Sequence, residues 1–120
     1  MRKEDASDWQ VIFAEFFGTW LMATLILGVK YAPNRRADTP HMVALFVGGS
    51  IVMLIKLGGW ISGAAYNPSI GFALITQDPA FYDDKTRDSQ LKDLFFYHIF
   101  CLLAAAMAFV WMRFLHLPHL

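Results

Sequence analysis

Two places in this chain carry polar chemistry where its neighbours are apolar. Asn67-Pro68 opens a short apolar stretch, Pro68-Ser69-Ile70-Gly71-Phe72-Ala73, directly after a long apolar run. Proline suits the first helical position, where its missing N–H would be an orphan, and asparagine suits the cap before it. A helix started this way aims its positive end and its free N–H groups back toward the run that precedes it. Glu15 is the second place, an acid well inside an apolar run, where a carboxylate is costly and demands a partner. Lys56 lies near the end of the second apolar run beside the break expected at Gly58-Gly59, where its stem can carry the ammonium toward an interface or line a polar path. No set of nucleophile, base and orienter is visible, nor paired carboxylates or a phosphate loop, so no enzymatic role and no cofactor are expected.

The elements that must position these groups follow from the hydropathy pattern. The chain has 120 residues, 57% hydrophobic and only 17% charged, and apart from Glu15, Lys56 and Arg113 the charges fall outside three long apolar runs. A water-soluble domain of this size would interleave them. The runs are Trp9 to Val29, Met42 to about Leu57 and Leu94 to Leu115, each near the roughly 20 residues that cross a hydrocarbon core, the second somewhat short. Three membrane-spanning helices are expected, with a half-helix over residues 67–76 that dips into the bilayer and turns back. Backbone polarity at that depth survives only if buried in protein or facing a water-filled path. The fold class is thus all-α and membrane-embedded, organised as a polar head (1–8), one repeat (9–116) and a short tail (117–120).

Between the runs lie punctuated connections. Tyr31 to Pro40 holds two prolines and reads as a loop, and Asp78-Pro79 ends the half-helix. The stretch Gln77 to Asp93 carries five aspartates and reads as a solvated loop without calcium-type ligand spacing. The head is acidic as well as basic and leads into a run too long for a signal-peptide core, so no cleaved leader or transit peptide is expected. Formal net charge is zero with no basic stripe, which points away from nucleic acid. Cys101, the single cysteine, reads as buried apolar filler, and His116 and His119 as polar terminal residues, so no metal site is expected. Trp9, Trp20, Trp60 and Trp111 with Tyr31, Tyr66, Tyr82 and Tyr97 include several at span ends, as interfacial anchors do. Small residues supply the helix contacts: Ala14 with Gly18, Gly48 and Gly49 with Ser50, Gly63, and Ala104-Ala105-Ala106 with Ala108.

Ala14-Glu15-Phe16-Phe17-Gly18-Thr19, then Ile61-Ser62-Gly63-Ala64-Ala65-Tyr66-Asn67-Pro68-Ser69, then a small-residue third helix, resembles one repeat of the aquaporin, or major intrinsic protein, family. Members normally carry two such repeats in opposite orientation, whose half-helices meet and wall a pore. Gly59 to Pro68 is most similar to the second repeat, with its Gly-Pro-Ile-Ser-Gly-Ala-x-x-Asn-Pro pattern. The resemblance implies that Asn67, Pro68 and Ser69 form the half-helix motif and that Glu15, with Thr19 one turn later, braces the loop leading into it. It also assigns the filter arginine and histidine positions to Ile70 and Ile55. Two isoleucines there would tend to dewet a constriction rather than replace water's hydrogen bonds.

A single repeat leaves one polar flank of the half-helix that lipid cannot satisfy, so a partner within the bilayer is expected, either other membrane subunits or a second copy. The favoured role is an aquaporin-like structural accessory subunit of a larger membrane complex, with a water or small-neutral-solute channel built from two inverted halves as the alternative. Lys and Arg count five on the N-terminal side (Arg2, Lys3, Lys85, Arg87, Lys92) against four on the other (Lys30, Arg35, Arg36, Arg113), a bias weak enough to permit both orientations. The membrane itself is not specified, and an organellar, mitochondrial inner membrane is the working expectation.

Overall fold

The computed structural model describes residues 6–31 and 40–116. The expectations for residues 1–5, for the 32–39 connection and for the tail with His119 lie outside the described residues, as does the side chain of His116.

Helix α1 spans Asp8–Tyr31. Its start is a reciprocal cap: the Ser7 amide donates to Gln10 Oε1 at 2.9 Å and the Gln10 amide donates to Ser7 Oγ at 3.4 Å. Helix α2 spans Pro40–Ser62, with proline in its first turn. It stops at Gly63, whose φ of 89° is the left-handed conformation that glycine adopts at helix ends. Helix α3 spans Pro68–Gln77, and its cap is Asn67, whose Oδ1 accepts from the Ser69 amide at 2.8 Å. After α3 come a 3-10 turn at Pro79–Tyr82 and then helix α4, Arg87–His116. Helices α1, α2 and α4 are each long and apolar enough to cross a bilayer, and α3 is too short to do so.

The chain departs from the sequence reading at three boundaries. Helix α2 begins at Pro40 itself and runs through Gly58-Gly59 to Ser62 instead of breaking there, because the space above Gly58 is filled by another side chain and not by a bend. The stretch from Arg87 to Asp93 is helical rather than loop: it forms the polar first turns of α4, where hydropathy alone shows no span. Helix α1 takes in Asp8, and Ala6 just before it is buried in the core with Val11, Ala65, Ile75 and Tyr97.

Helix α1 is the centre of the bundle, packed between α2 and α4, and α3 packs on α4. Ala104 and Ala108 of α4 are fully buried. That is the close approach small residues permit between helices in lipid. Gly48 and Gly49 have nothing within reach of a Cβ, so they face away from the rest of the chain. At the start of the bundle Lys92 and Asp8 form an exposed ion pair at 2.9 Å, a contact that contributes at most about 1 kcal/mol.

Candidate functional site: the buried turn before the half-helix

The chain reverses between α2 and α3 within four residues, 63–66. The Tyr66 hydroxyl donates to the carbonyl of Leu54 at 2.9 Å. Leu54 is eight residues, about 12 Å, before the end of α2, a distance covered by the turn and the length of the Tyr66 side chain together. The far end of the Tyr66 side chain thus stands at the level of Leu54 and Gly58, and α3 leads from the turn to the 3-10 turn.

Such a reversal needs unusual backbone. Gly63, Ala64 and Tyr66 have φ of 89°, 52° and 47°. For the two non-glycine residues this conformation costs on the order of 1–3 kcal/mol each and persists only when the surroundings over-determine it. The surroundings here are one carboxylate. Glu15 Oε1 accepts from Ser62 Oγ at 2.6 Å and from the Ala65 amide at 3.1 Å, and Oε2 accepts from the Tyr66 amide at 2.7 Å. Ser62 Oγ in turn accepts from the Ala64 amide at 3.2 Å. Three consecutive amides of the turn, which have no helix to satisfy them, are thereby paired.

Helix α4 supplies the rest. The Tyr97 hydroxyl donates to the Ser62 carbonyl, and its ring lies where a Cβ on Gly71 would stand. Cys101 is buried, but it is not mere filler: Thr19 Oγ1 donates to its sulfur at 3.2 Å, and the thiol donates to Glu15 Oε2 at 3.8 Å. With Ser62, two amides and a thiol all donating to it, Glu15 has its acceptor sites filled, as suits an acceptor-only carboxylate.

Among the tryptophans and tyrosines, of which several were expected at span ends as anchors, Tyr66 and Tyr97 are buried, and Trp9, Trp60, Tyr31 and Tyr82 are exposed. The Tyr66 ring sits between two glycines: a Cβ on Gly18 would lie 2.1 Å from Cε1, and one on Gly58 would lie 1.9 Å from the hydroxyl. Leu21 and Met22 of α1 pack against the same cluster. Thus Glu15, Gly18, Thr19 and Gly63 meet at the turn, Asn67 and Ser69 stand exposed at the head of α3, and Pro68 and Ala14 are half-buried. Ile55 and Ile70 are 46% and 50% exposed. The roles of Tyr66, Tyr97 and Cys101 escaped the sequence reading, since their partners are 12, 35 and 82–86 residues away. The cap Ser7-x-x-Gln10 was available as a local signal.

The family profile described as major intrinsic protein matches residues 2–81, which takes in α1, α2, the buried turn and α3. The chain belongs to the major intrinsic protein family. It is similar to lens fiber major intrinsic protein of Oryctolagus cuniculus, 39% identical over 74 residues, and to the proteins of that name from Homo sapiens, 38% over 74, and Lithobates pipiens, 32% over 69. Each match covers 58% of this chain and 26–27% of the relative, so the matched stretch spans about a quarter of those proteins' length. No solved structure matches the chain at comparable significance. Family and spans together make this an integral membrane protein, all-helical in its described residues, with three spans and one short helix.

Proposed function

We propose that this chain forms one wall of a transmembrane pore for water or a small neutral solute, made whole by a second half in opposite orientation. The observation that carries the reading is the placement of Asn67. It is exposed at the head of α3, and α3 packs on α4 and the 3-10 turn but not on α2, so the side of the half-helix away from α4 is uncovered by the described helices. Uncovered backbone polarity within a bilayer is tolerated only along a water-filled path or against protein. Inverted halves meeting about a midplane provide both. In this reading Glu15, with Thr19 and Cys101 behind it, is the brace that holds the turn, Asn67-Pro68-Ser69 presents the polar end, and Ala104 and Ala108 hold α4 close to α1.

A second reading, an accessory subunit wedged into a larger membrane assembly, is favoured by one observation: Ile55 and Ile70 are half exposed, and branched apolar side chains in a constriction disfavour water. Light-scattering shrinkage of vesicles separates the two. Vesicles holding the full chain in both orientations are expected to shrink faster than empty vesicles, with Asn67→Leu returning the rate to the empty value. Equal rates in all three preparations would remove the pore and leave the wedge.

A further inference from the structure

We propose that Tyr66 is the positioning residue of the half-helix: its side chain, lodged across α1 and α2 in the gaps left by Gly18 and Gly58, fixes where the Asn67 carboxamide stands. In the pore reading, on which the role of Asn67 rests, that carboxamide is the polar end offered to solute. The hydrogen bonds of Asn67, from the Ser69 amide to Oδ1 and from the Gly71 amide to its carbonyl, both lie within α3. Its tie to the spans therefore runs through the residue before it, and whatever fixes Tyr66 sets the point from which Asn67 departs.

Tyr66 is held at its amide, its ring and its hydroxyl. The amide donates to Glu15 Oε2 at 2.7 Å. The ring lies where a Cβ on Gly18 would stand, with Cε1, Cδ1 and Cζ 2.1, 2.5 and 2.5 Å from that position. Glu15 and Gly18 are three residues apart on one face of α1, so a single stripe of that helix grips both the backbone and the ring. The hydroxyl donates to the Leu54 carbonyl at 2.9 Å. In the helical ladder that carbonyl already accepts from the amide of Gly58, four residues on, and its second lone pair takes the hydroxyl. A Cβ on Gly58 would lie 1.9 Å from the hydroxyl oxygen, so the missing side chain makes the room in which the phenol reaches its acceptor.

A residue that only filled space would need none of this. Leucine or phenylalanine fills an apolar gap, whereas here a phenol matches two absent side chains and one carbonyl on two helices. The backbone of Tyr66 is meanwhile kept at a φ of 47°, which a bulky residue adopts only under constraint.

A double-mutant cycle on the full chain tests the fit. Gly58→Ala collides with the hydroxyl, but in Tyr66→Phe the nearest ring atom is Cζ at 3.1 Å, which must give by only a few tenths of an ångström. Gly18→Ala meets three ring carbons in either background. Denaturation midpoints in mixed micelles are expected to fall for Gly58→Ala in the tyrosine chain and to stay nearly unchanged for Gly58→Ala in the phenylalanine chain, while Gly18→Ala lowers both. A Gly58→Ala chain that does not fold but recovers with Tyr66→Phe is the same result in its limit. Position is read separately, from the NMR resonances of the Asn67 side-chain amide, which are expected to shift in Tyr66→Phe and to stay in place in Gly48→Ala, where nothing lies within 4 Å of the new methyl. Gly58→Ala equally damaging in both backgrounds, Asn67 resonances unmoved in Tyr66→Phe, or failure of Tyr66→Phe to fold would each overturn the assignment. Vesicles of Tyr66→Phe are expected to shrink more slowly than those of the parent chain, and an unchanged rate in a conducting parent would overturn it as well. A parent chain no faster than empty vesicles removes the pore, and the midpoints and resonances then still decide whether Tyr66 places Asn67.

Discussion

Replacing Glu15 by glutamine keeps the shape of the side chain and removes one of its two acceptor oxygens. The structure indicates how the amide would settle. With its oxygen at the Oε2 position it keeps the Tyr66 amide and the Cys101 thiol, and its new NH2 group turns toward Ser62 Oγ, which can accept instead of donate. The Ala65 amide, now facing a donor, is then orphaned. An unsatisfied buried amide costs about 1–3 kcal/mol, and the Tyr66 amide loses the charge assistance of its acceptor, roughly 1 kcal/mol more. The sum, about 2–4 kcal/mol, falls on a turn that already holds Ala64 and Tyr66 in left-handed backbone. Unfolding of the full chain in mixed micelles by denaturant, followed by circular dichroism, measures the loss. Limited proteolysis at residues 63–66 locates it. Pairing the change with Ser62→Ala should be non-additive, because both act on the same oxygen. A glutamine variant within about 0.5 kcal/mol of the parent, with the turn still resistant to protease, would refute the account of the carboxylate as what holds this backbone.

Gly18→Ala should destabilise by about 1–3 kcal/mol by forcing the Tyr66 ring aside, while Gly48→Ala, where nothing lies within 4 Å, should change stability by less than about 0.5 kcal/mol; the same denaturation assay reads both. Asn67→Ala removes the cap of α3 and should cost about 1 kcal/mol, with hydrogen exchange rising first at the Ser69 amide. Cys101 should resist maleimide in the folded chain and react only at the rate of global unfolding, measured by mass shift over time; rapid labelling would contradict its burial beneath Thr19 and Glu15.

What the sequence made legible was what is written locally. Three runs of apolar residues and an Asn-Pro start after one of them were enough for three spans and a capped short helix, because length and cap chemistry are near-neighbour properties. The acid inside α1 announced that it needed partners, since no buried carboxylate stands alone. Which partners it takes was beyond reach. The thiol that donates to Glu15 sits 86 residues away, and a cysteine with an alanine-rich neighbourhood looks the same in sequence whether it fills space or completes a network. Gly58-Gly59 was misread for a related reason: a glycine pair at a helix end signals a break when judged by local backbone entropy, yet here Gly58 makes room for Tyr66. The first turns of α4 were read as loop because their charges face the bundle's polar end, where Lys92 meets Asp8, and hydropathy is silent about helices outside the apolar slab.

The distribution of supports around the 63–66 turn also sets an order of events. Two of them, Tyr97 and Cys101, belong to α4, which is synthesised after the stub, and the ring of Tyr97 packs on Gly71 of the stub itself. Ten residues cannot bridge a bilayer on their own and have no reason to stay inside one unaccompanied. The nascent stub must therefore wait, outside the lipid or sheltered by the insertion machinery, until α4 arrives to seat it. A chain released before α4 would keep two good spans and lose the supports that seat its stub.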